Sequence, residues 1–276
     1  MRSTPITPTV SIIIPAYRAV DHLGRAVGSV AASWARARQM LGAGLSGELI
    51  VVDDASPDAT RQVADSALAE LPEGLAGRLV ALDRNRGPGG ARNAGADAAG
   101  TANLMFLDAD DLFLPDHIGL CLKALGTHPE AGYVWTNIQF DAPVHPSWQA
   151  SLAASSPSNL CLPRLWHQAI EGFPEGDDFR QYRTEDTVYR MCLRRLLPGR
   201  ALPQTTVRYT NRPGNAGQRQ AAKLAMPMNE WQRLLDLGQA PDDGFHQTPT
   251  MHTETERRLK LTEKLKSDIA HLLPDS

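Results

Sequence analysis

The chain has 276 residues, 42% of them hydrophobic, which is enough apolar side chain for one large core with a small appendage. Its 28 basic and 31 acidic residues leave a formal net charge of −3, without the basic excess that a nucleic-acid partner calls for. Three cysteines, Cys121, Cys161 and Cys192, have neither CxxC nor metal-ligand spacing and read as reduced, buried thiols.

The first residues lack the long apolar run of a signal peptide, and no stretch approaches the ~20 apolar residues of a membrane span. A soluble, cytoplasmic protein is expected, with room left for peripheral membrane contact.

From the start, Val10 to Ala16 is a β-branched run stopped by Pro15, the pattern of a buried strand. Asp21 to Arg38 places Leu23, Val27, Val30, Ala31 and Trp34 at helical spacing. Glu48 to Val52 is a second strand ending in Asp53-Asp54. Ser56 or Asp58 caps the next helix, which runs to about Glu70. Arg78 to Leu82 is a third strand. The turn Asn85 to Gly90 follows it and opens a helix from Ala91 to Ala99. Asn103 to Leu107 is a fourth strand, running into Asp108-Ala109-Asp110-Asp111. A helix over Pro115 to Leu125 and a strand over Gly132 to Ile138 complete this half.

Strand and helix thus alternate at βαβ spacing over the first ~140 residues. That predicts an α/β fold with a Rossmann-like, mostly parallel sheet and helices on both faces. Such sheets bind ligands beyond the carboxyl ends of their strands. Three polar clusters sit at such ends: Asp53-Asp54, Asn85 to Gly90, and Asp108 to Asp111. The topology predicts that they share one edge.

The second half is irregular. Asp141 to Pro163 reads as a loop, Leu165 to Ile170 as the start of a helix, Thr184 to Leu196 as a helix, and Val207 to Thr210 as a short strand. Arg212 to Arg219 reads as a polar loop. Thr253 to Leu273 reads as a terminal helix with Leu261, Leu265, Ile269 and Leu272 among its apolar residues. Thr253 and Glu256 are at capping-box spacing.

Each cluster has a chemical and a plain reading. Asp108, Asp110 and Asp111 supply hard oxygen ligands for Mg2+ or Mn2+ on a diphosphate, or else make a solvated turn with a helix cap. Asp53 and Asp54 suit a base N–H or ribose hydroxyl, or a turn and cap. The glycine turn suits phosphates at a helix N-terminus, or close packing; it is neither a Walker loop nor a dinucleotide fingerprint. Glu185-Asp186 opens a helix, where the dipole favours acids, and also offers a general base. The eight histidines show no ligand pairing.

Taken in order, Ser11-Ile-Ile-Ile-Pro15-Ala-Tyr17, Val51-Val52-Asp53-Asp54-Ala-Ser56, Asn85-Arg86-Gly87 through Arg92-Asn93-Ala94-Gly95, Leu107-Asp108-Ala109-Asp110-Asp111, and Gly172-Phe173-Pro174-Glu175 with Thr184-Glu185-Asp186 resemble family 2 glycosyltransferases of the GT-A fold. The resemblance covers about residues 9 to 215. It implies that Pro15, Tyr17 and Asp54, with Asp53 nearby, hold the nucleoside, usually uridine, and that Arg92 lies near the donor. Asp108 and Asp110 match the family's Asp-x-Asp, with Asp110, or Asp111 in a shifted reading, binding Mn2+ or Mg2+. Asp186 matches the catalytic base, and Glu185 beside it faces the acceptor. Residues 1–225 then form the transferase domain, 1–140 its nucleotide-sugar half and 141–225 its acceptor half. Residues 226–276 are a helical extension that suits dimerisation, membrane attachment or packing back on the domain.

There are departures. Asp177 and Asp178 compete for the role of base. Many relatives carry a histidine after the base as a further metal ligand, whereas this chain reads Arg212-Pro-Gly-Asn215. The Gln-x-x-Arg-Trp segment of processive polymerases is absent, so single transfer to an acceptor hydroxyl, with inversion, is the expected reaction. The rivals are an inactive sugar-nucleotide-binding scaffold and a nucleotidyltransferase. The second would carry a glycine-rich, basic loop where Pro15-Ala16-Tyr17-Arg18 stands.

Overall fold

The first half alternates as its sequence predicts. β1 (Thr9–Ala16) leads to α1 (Leu23–Leu41), β2 (Ser46–Asp53) to α2 (Thr60–Leu68), β3 (Leu75–Ala81) to α3 (Gly87–Ala98), and β4 (Asn103–Phe106) closes the series. A computed structural model describes residues 9–242 and 247–269. Beyond β4 come β5 (Leu112–Phe113), α4 (His117–Thr127), β6 (Tyr133–Phe140), α5 (Pro146–Ser155), β7 (Leu160–Pro163) and α6 (Arg164–Ala169). Then follow α7 (Asp177–Tyr182), α8 (Glu185–Leu196), β8 (Gly199–Tyr209), two short turns α9 (Ala216–Arg219) and α10 (Ala221–Leu224), α11 (Met228–Asp236) and α12 (Pro249–Ile269).

The eight strands make one sheet in the order β3-β2-β1-β4-β7-β6-β8-β5. β3, β2, β1 and β4 are parallel neighbours. β7 pairs antiparallel with both β4 and β6, and β6 with β8 is parallel again. The central strands are apolar on both sides, as a sheet covered on both faces requires. Ile12 and Ile14 of β1 and Val51 of β2 face a core shared with Val27, Val30 and Trp34 of α1 and Ile118 of α4. Ile13, Ile50 and Val52 face the opposite core, with Ala91 of α3, Tyr189 and Leu193 of α8, and Met251 of α12.

Four expectations are corrected. The stretch Asp141 to Pro163, expected as a loop, holds α5 and β7, and β7 lies inside the sheet rather than at its rim. A four-residue strand is too short to show a period, and prolines beside it mimic a loop. β8 runs from Gly199, not Val207. Most of its first seven residues are exposed, so no apolar alternation marked it. α3 begins at Gly87, so the expected glycine turn is its first helical turn. α12 begins at Pro249, which leaves Thr253 inside it. Thr248 is the cap, its hydroxyl accepting the Met251 N–H at 3.2 Å, while the expected end at Leu273 lies outside the described residues.

α12 packs on α8 and α7. Its buried Arg258 donates to the carbonyls of Ile170 (2.9 Å) and Gly172 (2.7 Å), closing the C-terminus of α6. Trp148 of α5, Leu224 and Trp231 form a small separate cluster at the other end. The three cysteines are free and buried. Among the described residues no helix is long and apolar enough to cross a membrane.

Candidate active site

The parallel strands deliver the three polar clusters to one edge. The Asp54 N–H donates to Ala16 O at 2.9 Å, the Leu82 N–H to Asp53 O at 2.9 Å, and the Leu107 N–H to Ile13 O at 3.0 Å. The chain therefore leaves β2, β3 and β4 at matched height. A cleft of about 560 Å³ opens there, within the size range of small-molecule sites. Pro15, Tyr17, Asp54, Asp108, Asp110, Glu185 and Asp186 all line it.

The adjacent aspartates of β2 part company. Asp53 does not line the cleft. Its carboxylate accepts the Ser56 N–H at 3.1 Å and meets Arg61 at 3.3 Å, so it fastens the turn. Asp54 lines the cleft, but its oxygens accept the N–H groups of Arg86 (2.7 Å) and Gly87 (2.9 Å). The start of α3, a candidate phosphate cradle in the sequence, is thus capped by Asp54. Burial raises the Asp54 pKa, and those N–H bonds partly offset the rise. The glycines serve packing. A Cβ on Gly89 would lie 3.0 Å from both the Glu185 side chain and the Pro174 carbonyl.

Arg92, one turn into α3, is buried and forked. It donates to Asp108 at 2.5 Å and to Glu185 at 3.0 Å, with its guanidinium 5.1 Å from the Phe173 ring centre. Burial works against its charge, but Asp108 and Glu185 prevail, and its pKa is raised. One arginine therefore ties the turn after β4 to the start of α8 beside the cleft. Arg92 Nε and Glu185 Oε2 have no hydrogen-bond partner among the described residues, so polar atoms remain unsatisfied beside the cleft.

Of the three aspartates in the acidic turn, Asp108 and Asp110 line the cleft and Asp111 does not. Asp108 is held by Arg92, and Asp110 by Arg212. Asp111 points inward, where its carboxylate accepts the Thr210 N–H at 3.0 Å and the Ser158 hydroxyl at 3.2 Å. Burial, then Asp108 and Asp110 beside it, hold its pKa well above the usual carboxylate range. The shifted reading, with Asp111 as metal ligand, has no cleft-facing carboxylate to use.

Asp108 and Asp110 offer hard oxygens that suit Mg2+ or Mn2+. Among the described residues no three His, Cys, Asp or Glu side chains converge on one point. The donor set therefore fits an ion that completes its shell with diphosphate oxygens and water. It does not fit an ion caged by protein alone.

Asp186 stands at the start of α8, reached through Arg183, a non-glycine residue at φ 53°. Its carboxylate accepts from the Thr187 N–H at 2.6 Å and the Thr187 hydroxyl at 3.3 Å. Withdrawal from water, then Glu185 beside it, push its pKa up to about 7, against the pull of Arg92. A carboxylate poised there is suited to accept a proton at neutral pH. The competing aspartates are elsewhere. Asp177 pairs with Arg180 at 3.0 Å and Asp178 accepts from the Thr248 hydroxyl; neither lines the cleft.

Sequence reasoning missed the far wall: Phe140, Trp148, Tyr209, Arg212 and Lys223. Trp148 was the available signal, since a large aromatic in a supposed loop needs something to pack against.

A family model for Glycosyl transferase family 2 matches residues 11–196. Succinoglycan biosynthesis protein ExoO of Rhizobium meliloti is 41% identical over 111 residues, 40% of this chain and 28% of that protein. ExoU of the same organism is 36% identical over 126 residues, 45% of this chain and 32% of that protein. The chain thus spans about a third or less of these curated relatives. Among solved structures, S. aureus TarS 1-349 in complex with UDP-GlcNAc superposes with a TM-score of 0.61 at 19% identity, covering 75% of this chain and 60% of that one. The mannosyltransferase PcManGT from Pyrobaculum calidifontis, in complex with GDP-Man and Mn2+, gives 0.60 at 19% identity, covering 97% and 76%. The sheet order, the cleft at its carboxyl edge and these likenesses agree: the fold is GT-A, and the chain belongs to glycosyl transferase family 2.

Proposed function

We propose that this chain is a glycosyltransferase that moves a sugar from a nucleotide-diphosphate sugar to an acceptor hydroxyl, with inversion and with Mn2+ or Mg2+. The observation that carries the reading is Asp186, a cleft-facing carboxylate with its pKa pushed up to about 7, lining the same cleft as Asp108 and Asp110. Pro15 and Tyr17 wall the nucleoside end. Uridine is the first candidate base; the two neighbours bind UDP-GlcNAc and GDP-Man, so guanosine is tested beside it.

In this reading Asp186 takes the proton of the acceptor hydroxyl. The acceptor oxygen bonds to the anomeric carbon as the bond to the diphosphate breaks on the opposite face. Arg92 holds Asp108 and Glu185 in place while this happens. Asp110 and Asp108 would hold the divalent ion, which when bound would supply charge neutralisation for the leaving diphosphate. Residues 1–140 serve the donor and 141–225 the acceptor, with 226–276 as an appended helical segment.

The test is release of UDP or GDP from a panel of nucleotide sugars with Mn2+, with and without candidate acceptor glycans and lipids. Turnover that disappears in Asp186→Asn supports the reading. Tight donor binding with no release in any mixture identifies the scaffold, and pyrophosphate release from a sugar phosphate and a nucleoside triphosphate identifies a nucleotidyltransferase.

A further inference from the structure

Arg212 occupies an unusual place for a cation. Its Nε meets the Asp110 carboxylate, and both side chains line the cleft. The contact is built in by its loop. Asp111 accepts the Thr210 N–H at 3.0 Å, and buried Asn215 donates to Thr210 O at 2.8 Å while accepting the Gln218 N–H at 3.0 Å. The Gly217 N–H donates to the Tyr209 hydroxyl at 2.9 Å. The third aspartate of the acidic turn thus fastens the loop that lays Arg212 on the second.

The two cleft-facing aspartates of the acidic turn therefore each already have an arginine partner, Arg92 on Asp108 and Arg212 on Asp110. The arginines are not equivalent. Arg92 is 4% exposed and also bound to Glu185, so it is fixed; Arg212 is 38% exposed and has a single acidic partner. A divalent ion arriving alone finds the Asp110 carboxylate already paired and must displace a guanidinium to reach it. A diphosphate changes the balance, because it adds negative charge for the ion and paired oxygens that the planar guanidinium can grip in a bidentate way.

We propose that Arg212 is a gate on the metal position. It holds Asp110 until a nucleotide diphosphate arrives, then moves to the diphosphate and frees Asp110 for the ion. Metal binding thereby becomes conditional on the donor. This rests on the donor reading above for its second half, and on the Asp110–Arg212 contact alone for its first.

The experiment follows free Mn2+ by electron paramagnetic resonance in the absence of nucleotide, for the wild type, Arg212→Gln, Arg212→Lys and Arg212→Gln with Asp110→Asn. UDP and GDP titrations with Mn2+ present are run in parallel. The expected result is that Arg212→Gln binds Mn2+ alone about tenfold more tightly, Arg212→Lys stays near the wild type, and the added Asp110→Asn removes the gain. With Mn2+ present, nucleotide diphosphate affinity falls about tenfold in Arg212→Gln. These opposite movements separate a gate from a structural role, which would weaken both. An Mn2+ affinity that is unchanged or lower in Arg212→Gln overturns the proposal. Failure of UDP and GDP to bind the wild type would sink the donor reading, while the Mn2+ comparison still decides whether Arg212 guards Asp110.

Discussion

Asp186 is where a change should abolish activity and strengthen the fold. Its carboxyl titrates at about 7 in the folded protein against an ordinary value of 3.8. Because the folded pKa is raised, the folded state holds a proton that the unfolded chain has already released. Stability therefore falls as pH rises between about 4 and 7, and is level beyond that window. A difference of about 3 pH units, at about 1.36 kcal/mol each, sets a ceiling of about 4 kcal/mol. Asn is also withdrawn from water, so about half that ceiling, ~2 kcal/mol, should be recovered by Asp186→Asn. Its amide oxygen still accepts the Thr187 N–H that Asp186 takes at 2.6 Å. At this chain length about 2 kcal/mol corresponds to a rise in Tm of about 4 °C. Calorimetry at pH 8 and pH 4 reads it: a gain of about 2 kcal/mol at pH 8 that turns into a loss of about 2 kcal/mol at pH 4, where the wild-type carboxyl is itself neutral. An equal gain at both pH values, or a loss at pH 8, would refute the origin assigned to the shift. Turnover in the same variant should fall by about 10²–10⁴-fold.

Other predictions use the same contacts. The wild-type kcat/KM should rise with pH and reach half its plateau near pH 7, where Asp186 loses its proton; a flat profile from pH 5 to 9 contradicts its role as base. Arg92→Met leaves Asp108 and Glu185 without their shared partner and should destabilise the fold by about 3–5 kcal/mol in urea titrations. Arg92→Lys should recover only part of this, because one ammonium does not reproduce the fork. Arg258→Met keeps the bulk but strips hydrogen bonds from Ile170 and Gly172, so it should cost about 1–3 kcal/mol with donor affinity unchanged. Gly87→Ala places a Cβ 2.9 Å from the Arg180 side chain at φ 76° and should lower Tm; an unchanged Tm would show that the turn yields freely.

What the sequence revealed, and where it stopped, follows from the range of the contacts. β1 and β2 are apolar on both sides, a pattern that needs no tertiary information to read. Placing Asp54, Asn85 and Asp108 on one edge needed only the rule that parallel strands end together. The roles of neighbours were hidden. Asp53 and Asp54 are adjacent and chemically alike, yet strand alternation sends one to Arg61 and the other to the start of α3. Asp110 and Asp111 divide in the same way, one toward the cleft and one toward Thr210, about a hundred residues along the chain. β7 escaped because its support comes from both flanking strands and not from its own four residues. The far wall escaped because exposed β8 and the α9 and α10 turns carry no apolar period. The missing histidine at Arg212 was visible as a departure, but its contact with Asp110 is a property of the folded loop.

On this reading the cleft takes a nucleotide-diphosphate sugar across Asp108 and Asp110. Calorimetric titration of UDP-sugars and GDP-sugars, with Mn2+ and with EDTA, tests it most directly. The expected result is binding by at least one donor that weakens about tenfold or more in EDTA and in Asp110→Ala, with Asp186→Asn close to the wild type. Binding that is indifferent to Asp110, or no binding by any donor with Mn2+ present, would contradict it.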